Sequence, residues 1–414
     1  MTAPDQSMLR TNVATPSNNK RPGHAVEVAI AFLKLGLTSF GGPIAHVGYF
    51  RREFVERRRW LDEEHFGQLF ALCQFLPGPA SSQLGFSLGL LRAGWLGAIA
   101  AFICFTLPSA LLLFVFAAFS GHLAGPWGQG LVHGLKLVAV AVVAQGVAGM
   151  AKSLTPDRPR ALMAAGAAGL VAVSGTAWMQ LVIVAGGALL GPRLCRGVTA
   201  HQGETFALHY GHRLGGVCIA AYVVLLAVVL SATSYLPPLG QVAAAFYRTG
   251  ALVFGGGHVV LPLLKQAIVD PGWVSNDTFL TGYGAAQAVP GPMFTLSAFL
   301  GERLNGGSGG WIGATVSLLA IFLPGLLLVS GALPFWRILG NRNGAARMLA
   351  GVNAAVVGLL AYALYDPVWV SAIKDAKDFA IALIAFTLLV AARWPALVIV
   401  VWCVSASLLR TLGI

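Results

Sequence analysis

Gln74-Phe75-Leu76-Pro77-Gly78-Pro79 is written twice in this 414-residue chain. It returns as Gln287-Ala288-Val289-Pro290-Gly291-Pro292, 213 positions later (290 − 77). The match continues outward. Phe32-x-x-x-Gly36-x-x-x-Phe40-Gly41-Gly42 reappears as Phe246-x-x-x-Gly250-x-x-x-Phe254-Gly255-Gly256 at an offset of 214 (246 − 32). Trp60 and Phe66 pair with Trp273 and Phe279 at 213, and Pro108 with Pro324 at 216. One duplication with small insertions accounts for every pair. Two related apolar halves, each interrupted by Gly and Pro, are the pattern of a secondary transporter whose site lies between them.

Composition sets the solvent. Hydrophobic residues make up 57% of the chain, charged residues only 10%, and the mean hydropathy is +0.76. A soluble domain carries about 25% charged residues. The apolar residues come in long runs, such as 96–119, 131–151, 217–230, 313–330 and 351–364. Several reach the ~20 residues needed to cross a ~30 Å hydrocarbon core. A multi-pass membrane protein follows. The net charge of +12 sits in a few loops between apolar runs, as the positive-inside rule expects. No polar domain carries a basic face, so a nucleic-acid partner is not expected. Cys73, Cys104, Cys195, Cys218 and Cys403 are scattered without metal-ligand spacing and read as small packing residues. Residues 1–23 are polar and lack an apolar core, which suits a disordered cytosolic tail rather than a cleaved signal.

The chain divides into this tail, a first repeat over 24–195, a linker with one crossing over 196–238, and a second repeat over 239–414. Each half opens with a short apolar helix, 25–40 in the first, that stops at a glycine tip. An amphipathic stretch (45–60) follows, then 66–76, the Pro-Gly-Pro break and 80–91. Long helices at 96–119 and 131–151 and a short pair at 161–173 and 178–190 complete the half. Basic loops show how the halves are oriented. Residues 51–59 hold five Lys or Arg and their counterpart 265–277 holds one; 152–160 hold three against two in 366–378; 337–347 hold three against none in 121–133. Equivalent loops carry opposite bias, so the halves are inverted, and the unpaired segment 214–230 supplies the odd crossing. The expected fold is an all-α integral membrane protein: two homologous helical domains as an inverted repeat, with broken or re-entrant helices in each. The broken segments are too short to span, which favours two re-entrant hairpins and four full spans per half; the alternative is that some broken segments cross fully as discontinuous helices.

Broken backbone is tolerated in a membrane only where protein or a water-filled cavity satisfies it. A helix restarting after Pro77-Gly78-Pro79 or Pro290-Gly291-Pro292 presents N–H groups and a positive dipole end, which suits an anion. Ser81, Ser82 and Gln83 after the first break, and Thr295 and Ser297 after the second, add neutral donors. Gln74 and Gln287 precede the breaks. The alternative is that each break is a tight structural turn. Gly41-Gly42-Pro43 and Gly255-Gly256 either let helices approach closely or expose amides to substrate. His46 and His258 follow these tips. They exchange protons near neutral pH or simply hydrogen-bond between packed helices; they do not align, since His46 falls opposite Val260. Arg51, Arg52 and neighbours, with Arg92 after the first hairpin, form either an ion-paired surface or an anion funnel. Lys34 and Lys136 lie within apolar helices and read as snorkelling side chains. No catalytic constellation, cofactor motif or metal-ligand set emerges, and none is expected.

At these residues the chain resembles the chromate ion transporter family, in its long two-domain form. The resemblance rests on Phe40-Gly41-Gly42-Pro43-x-x-His46, Arg51-Arg52-Glu53-Phe54-Val55, Trp60-Leu61, Leu72-Cys73-Gln74-x-x-Pro77-Gly78-Pro79-x-x-Ser82-Gln83-Leu84-Gly85 and Phe105-x-Leu107-Pro108-Ser109, with the divergent second copy. It implies efflux of chromate across a bacterial inner membrane, giving resistance, with sulfate as the similar oxyanion. Expected partners are such an oxyanion and membrane lipid, with a homodimer left open. Composition and breaks alone point only to an anion carrier. The competing readings are a carrier of sulfate or another oxyanion, a passive anion channel, and a membrane enzyme acting on a lipid phosphate. Sparse Asp and Glu argue against the last.

Overall fold

Proline and glycine cut the helices where the repeat marks them. A computed structural model describes residues 24–40, 42–120, 125–174, 177–198, 206, 208, 210–254, 260–305, 307–336 and 343–412. The 1–23 tail, Gly41, and the second glycine tip with Gly255, Gly256 and His258 lie outside the described residues. The described chain is helical with no strand.

In the first half α1 (Ala25–Thr38) is followed by α2 (Gly42–Phe50), which runs on as a π-helical turn, Arg51–Arg57. The Asp62 carboxylate accepts from the His65 amide and caps α3 (Glu63–Phe75). After the break, α4 (Ala80–Ser120) contains non-helical Ala93 and Gly94, which divide it into arms 80–92 and 95–120. Next come α5 (Gly125–Leu154), α6 (Arg158–Ser174) and α7 (Ala177–Leu194). The unpaired segment is α8 (His212–Ser231). The second half repeats the order: α9 (Pro238–Leu252), α10 (Val260–Leu264), α11 (Asn276–Ala288), short α12 (Leu296–Glu302), α13 (Gly310–Ala332), α14 (Asn343–Ala363), α15 (Ala376–Val390) and α16 (Ala396–Thr411). Among the described residues five helical stretches are long and apolar enough to span: Ala80–Ser120, Gly125–Leu154, His212–Ser231, Gly310–Phe335 and Asn343–Ala372.

The broken segments enter and return. Glu27, at the start of α1, accepts from Trp60 Nε1 at 3.0 Å and from Arg92 Nη2 at 3.1 Å, and the Arg92 guanidinium lies 5.4 Å from the Trp60 ring centroid. The entry of α1, the exit of the π-turn and the end of the 80–92 arm therefore share one face. Counterparts close the second half in the same way. The Asn305 amide donates to Trp273 O at 3.1 Å and Asn305 Nδ2 to Gly272 O at 3.3 Å. Trp273 and Asn305 stand 213 positions beyond Trp60 and Arg92. The 13 residues of α3 and of α11 rise only about 20 Å, too little for a crossing.

The halves are interlaced. α5 packs against α15 and α16, and α14 against α6 and α7, so each half lends its last two helices to the other. At the α5–α16 crossing a Cβ on Gly134 would lie 2.6 Å from Val404 Cα. Only glycine allows that approach, as small residues do generally between helices in lipid. α8 covers α9 and α13 of the second half, whereas α1 leaves Val26, Ile30, Leu33 and Leu37 exposed.

Candidate functional site

Each break is held by the opposite half. The Gly78 amide donates to Val253 O at 2.7 Å, and the Gly291 amide donates to Ser39 O at 2.9 Å. Val253 and Ser39 are repeat equivalents (253 − 39 = 214), so the two bonds form a reciprocal pair. Both glycines have positive φ, 125° and 107°. A Cβ on Gly78 would lie 2.9 Å from Gly325 Cα, and one on Gly291 2.7 Å from Ser109 Oγ. Gly325 and Ser109 follow Pro324 and Pro108 in α13 and α4. Both glycine amides are thus spent in joining the halves. The prolines Pro77, Pro79, Pro290 and Pro292 end and restart the helices around these joints.

Beyond this shared frame the two breaks differ. In the first, the Ala80, Ser81 and Ser82 amides have no backbone acceptor among the described residues; the first bond of the new helix is Gln83 N–H to Pro79 O, 2.9 Å. Ser82 Oγ is buried with no hydrogen bond among the described residues. Gln83 does not offer a donor to a ligand as the sequence suggested. Its Nε2 donates to Pro77 O at 2.9 Å and to Gly325 O at 3.1 Å, bracing the break. His46 is fully buried, with Nε2 3.2 Å from Ser39 O, its ring edge-on to Phe105, and Nδ1 without a partner among the described residues. Ser39 Oγ and Thr106 Oγ1 are also buried, with no partner among the described residues. These unmet polar groups lie on α2, on the end of α1 and on both arms of α4.

In the second break the Met293 and Phe294 amides likewise have no backbone acceptor among the described residues, but the hydroxyls are satisfied and the lining is aromatic. Thr295 Oγ1 donates to Pro292 O at 2.6 Å and Ser297 Oγ to Phe294 O at 2.7 Å. Phe294 and Phe322, whose rings are 5.9 Å apart, occupy the positions of Ser81 and Thr106. Gln287 is buried with Nε2 3.3 Å from Met293 Sδ, whereas Gln74 is exposed and makes no hydrogen bond among the described residues. Ser39 and Thr106 were missed in the sequence. Aligning the repeats shows Thr106 opposite an aromatic residue, and that was the signal to follow.

The rim beside the first hairpin is a charged network. Arg51 donates to Glu63 at 2.7 Å and to Glu56 at 2.5 Å. Arg58 and Arg57 bind Glu53 at 2.6 and 3.0 Å, and Arg92 binds Glu27. Burial pushes the Glu53 carboxyl up, but the Arg58 and Arg57 hydrogen bonds and charges outweigh it and hold it below the usual carboxylate range. Arg51 and Arg92 are thus neutralised, while Arg52 is exposed with no ion pair among the described residues.

The profile of the chromate transporter family matches residues 26–192 and again 240–408. The chain belongs to the chromate transporter family. It is 30% identical over 86% of its length to a probable chromate transport protein of Synechococcus elongatus, covering 87% of that protein. It is 28% identical to chromate transport proteins of Pseudomonas aeruginosa (89% of this chain, 86% of that one) and Cupriavidus metallidurans (87% and 85%). No solved structure matches it. As a member of this family the chain is a multi-pass transporter, matched once in each half.

Proposed function

We propose that this transporter exports chromate from the bacterial cytoplasm across the inner membrane and so confers chromate resistance. The Arg51 rim and the N-terminus face the cytoplasm, as the positive-inside rule favours. Substrate enters past Arg52 and the exposed Gln74 and is held at the first break. The Ala80–Ser82 amides and the hydroxyls of Ser82, Ser39 and Thr106 supply donors around a tetrahedral dianion; Gly42 and Pro43 form part of the neighbouring tip. His46 joins them when Nδ1 carries a proton. The observation that carries this reading, beside the family match, is the cluster of buried, unmet polar atoms in the first half and its absence from the equivalent positions of the second. An inside-negative potential favours outward movement of a dianion by ~4.6 kcal/mol per 100 mV.

The test is chromate uptake into everted membrane vesicles. Accumulation above empty vesicles, reduced by Gln74→Ala and Ser82→Ala, supports export; uptake equal to empty vesicles overturns it. Neutral amide and hydroxyl donors do not by themselves distinguish chromate from sulfate. Competition by sulfate and molybdate separates a chromate carrier from a general oxyanion carrier.

A further inference from the structure

The second hairpin is closed onto the opposite half and the first is not. A Cβ on Gly284 of α11 would lie 2.1 Å from Leu135 O of α5, and Lys136 Nζ reaches up to Asp277 Oδ1 at 2.7 Å. The Lys136 side chain is only 10% exposed. The repeat maps Asp277, Gly284 and Gln287 onto Glu64, Ala71 and Gln74 at 213. It maps Leu135 and Lys136 onto Val352 and Asn353 at 217, a register fixed by Gly134 and Gly351, which hold the same place in the interlaced packing. Yet α3 does not pack along α14 as α11 does along α5. Glu64, Gly67 and Gln74 are exposed, and the Asn353 Oδ1 is buried without a partner among the described residues.

We infer that Asp277 and Lys136 latch one of two alternating gates, and that Glu64 with Asn353 is the unequal latch of the other. When the first hairpin closes on α14, the second lifts from α5 and the Asp277–Lys136 pair breaks. Glu64 then meets a neutral amide where Asp277 had an ammonium. Opening the charged latch leaves Lys136 unpaired in a nearly buried position, which is disfavoured; the neutral latch returns less. The transporter therefore rests open on the Arg51 side, ready to load. Asp277 and Lys136 are positioning residues that set which hairpin is docked. The inference rests on the transport reading only in requiring two gates.

The test measures conformation rather than flux. Full-length protein carries a single added cysteine, Gln74→Cys or Gln287→Cys, and reaction with a small cationic methanethiosulfonate is followed by peptide mass. Without further change the residue-74 probe reacts fast and the residue-287 probe slowly. Asp277→Asn should raise the rate at 287 and lower it at 74, each by about tenfold. Asn353→Lys, which gives Glu64 a cation without touching the closed gate, should lower the rate at 74. The exchange Lys136→Asp with Asp277→Lys should restore the original pattern. Unchanged rates in both Asp277→Asn and Asn353→Lys overturn the proposal, as does failure of the charge exchange to restore the pattern. Rates that shift as expected in a protein that moves no chromate still support the latch and count only against the substrate assigned above.

Discussion

Gln74 lies exposed at the end of α3 with no hydrogen bond among the described residues, while Gln287, its repeat partner, is 6% exposed and bonded to Met293. The same contrast runs through both hairpins. Hydroxyls of the second break donate to local carbonyls; Ser82 in the first donates to none among the described residues. Phe294 and Phe322 fill the space that Ser81 and Thr106 hold in the first half. A duplication begins with two equivalent breaks, and packing alone would keep both satisfied. Unmet polar atoms are costly in a membrane protein, so the contrast between the hydroxyls of the two breaks separates roles: the first break binds, and the second supports and gates.

Substitutions at equivalent positions break or sharpen that division. The largest effect is expected at Gly284→Leu, because the closed hairpin rests on the Leu135 carbonyl. Overpacking should cost about 3 kcal/mol, read as a fall in melting temperature in detergent with loss of transport. Ala71→Leu, on the open hairpin, should leave the melting temperature unchanged. Gly78→Ala and Gly291→Ala test the part of the frame that is symmetric: each forces a positive φ on alanine and should lose about 1–3 kcal/mol alike. Unequal losses would show that the joints are not equivalent. Ser82→Ala and Thr295→Ala should then diverge. The first should weaken chromate binding several-fold with stability kept, by equilibrium binding and melting. The second should lose about 1 kcal/mol with binding kept. Smallest is the rim. Glu53 has its carboxyl held low by Arg58 and Arg57, so its stabilisation is present above the unfolded value of about 4.3 and is lost as pH falls through the lower folded value. Glu53→Gln should flatten the acid limb of a melting-temperature profile. The second half has Gln266 at the matching position, and Gln266→Glu should add no such limb.

Much of this was legible in the chain. The repeat, the breaks and the return of each hairpin follow from paired Gly, Pro and Trp residues and from the placing of Arg51–Arg59 and Arg92. The partner of each helix was not. α5, α6 and α7 are apolar on most sides, so their sequences carry no period that selects one neighbour over another. Gln83 was misjudged for a related reason: its acceptor Gly325 lies 242 residues away and shows in no local motif. Thr106 looked like an ordinary helical threonine, whose hydroxyl usually returns to its own backbone.

The exchange of terminal helix pairs also dictates an order of synthesis. The α5 surface that meets Val404 emerges from the ribosome 270 residues (404 − 134) before its mate. At 5–20 residues per second that is a wait of roughly 15–50 s in the nascent state. A chain stopped after α14 would contain every hairpin residue and still lack the cover of α5. Separately made halves would have to dovetail after insertion rather than dock as finished bodies.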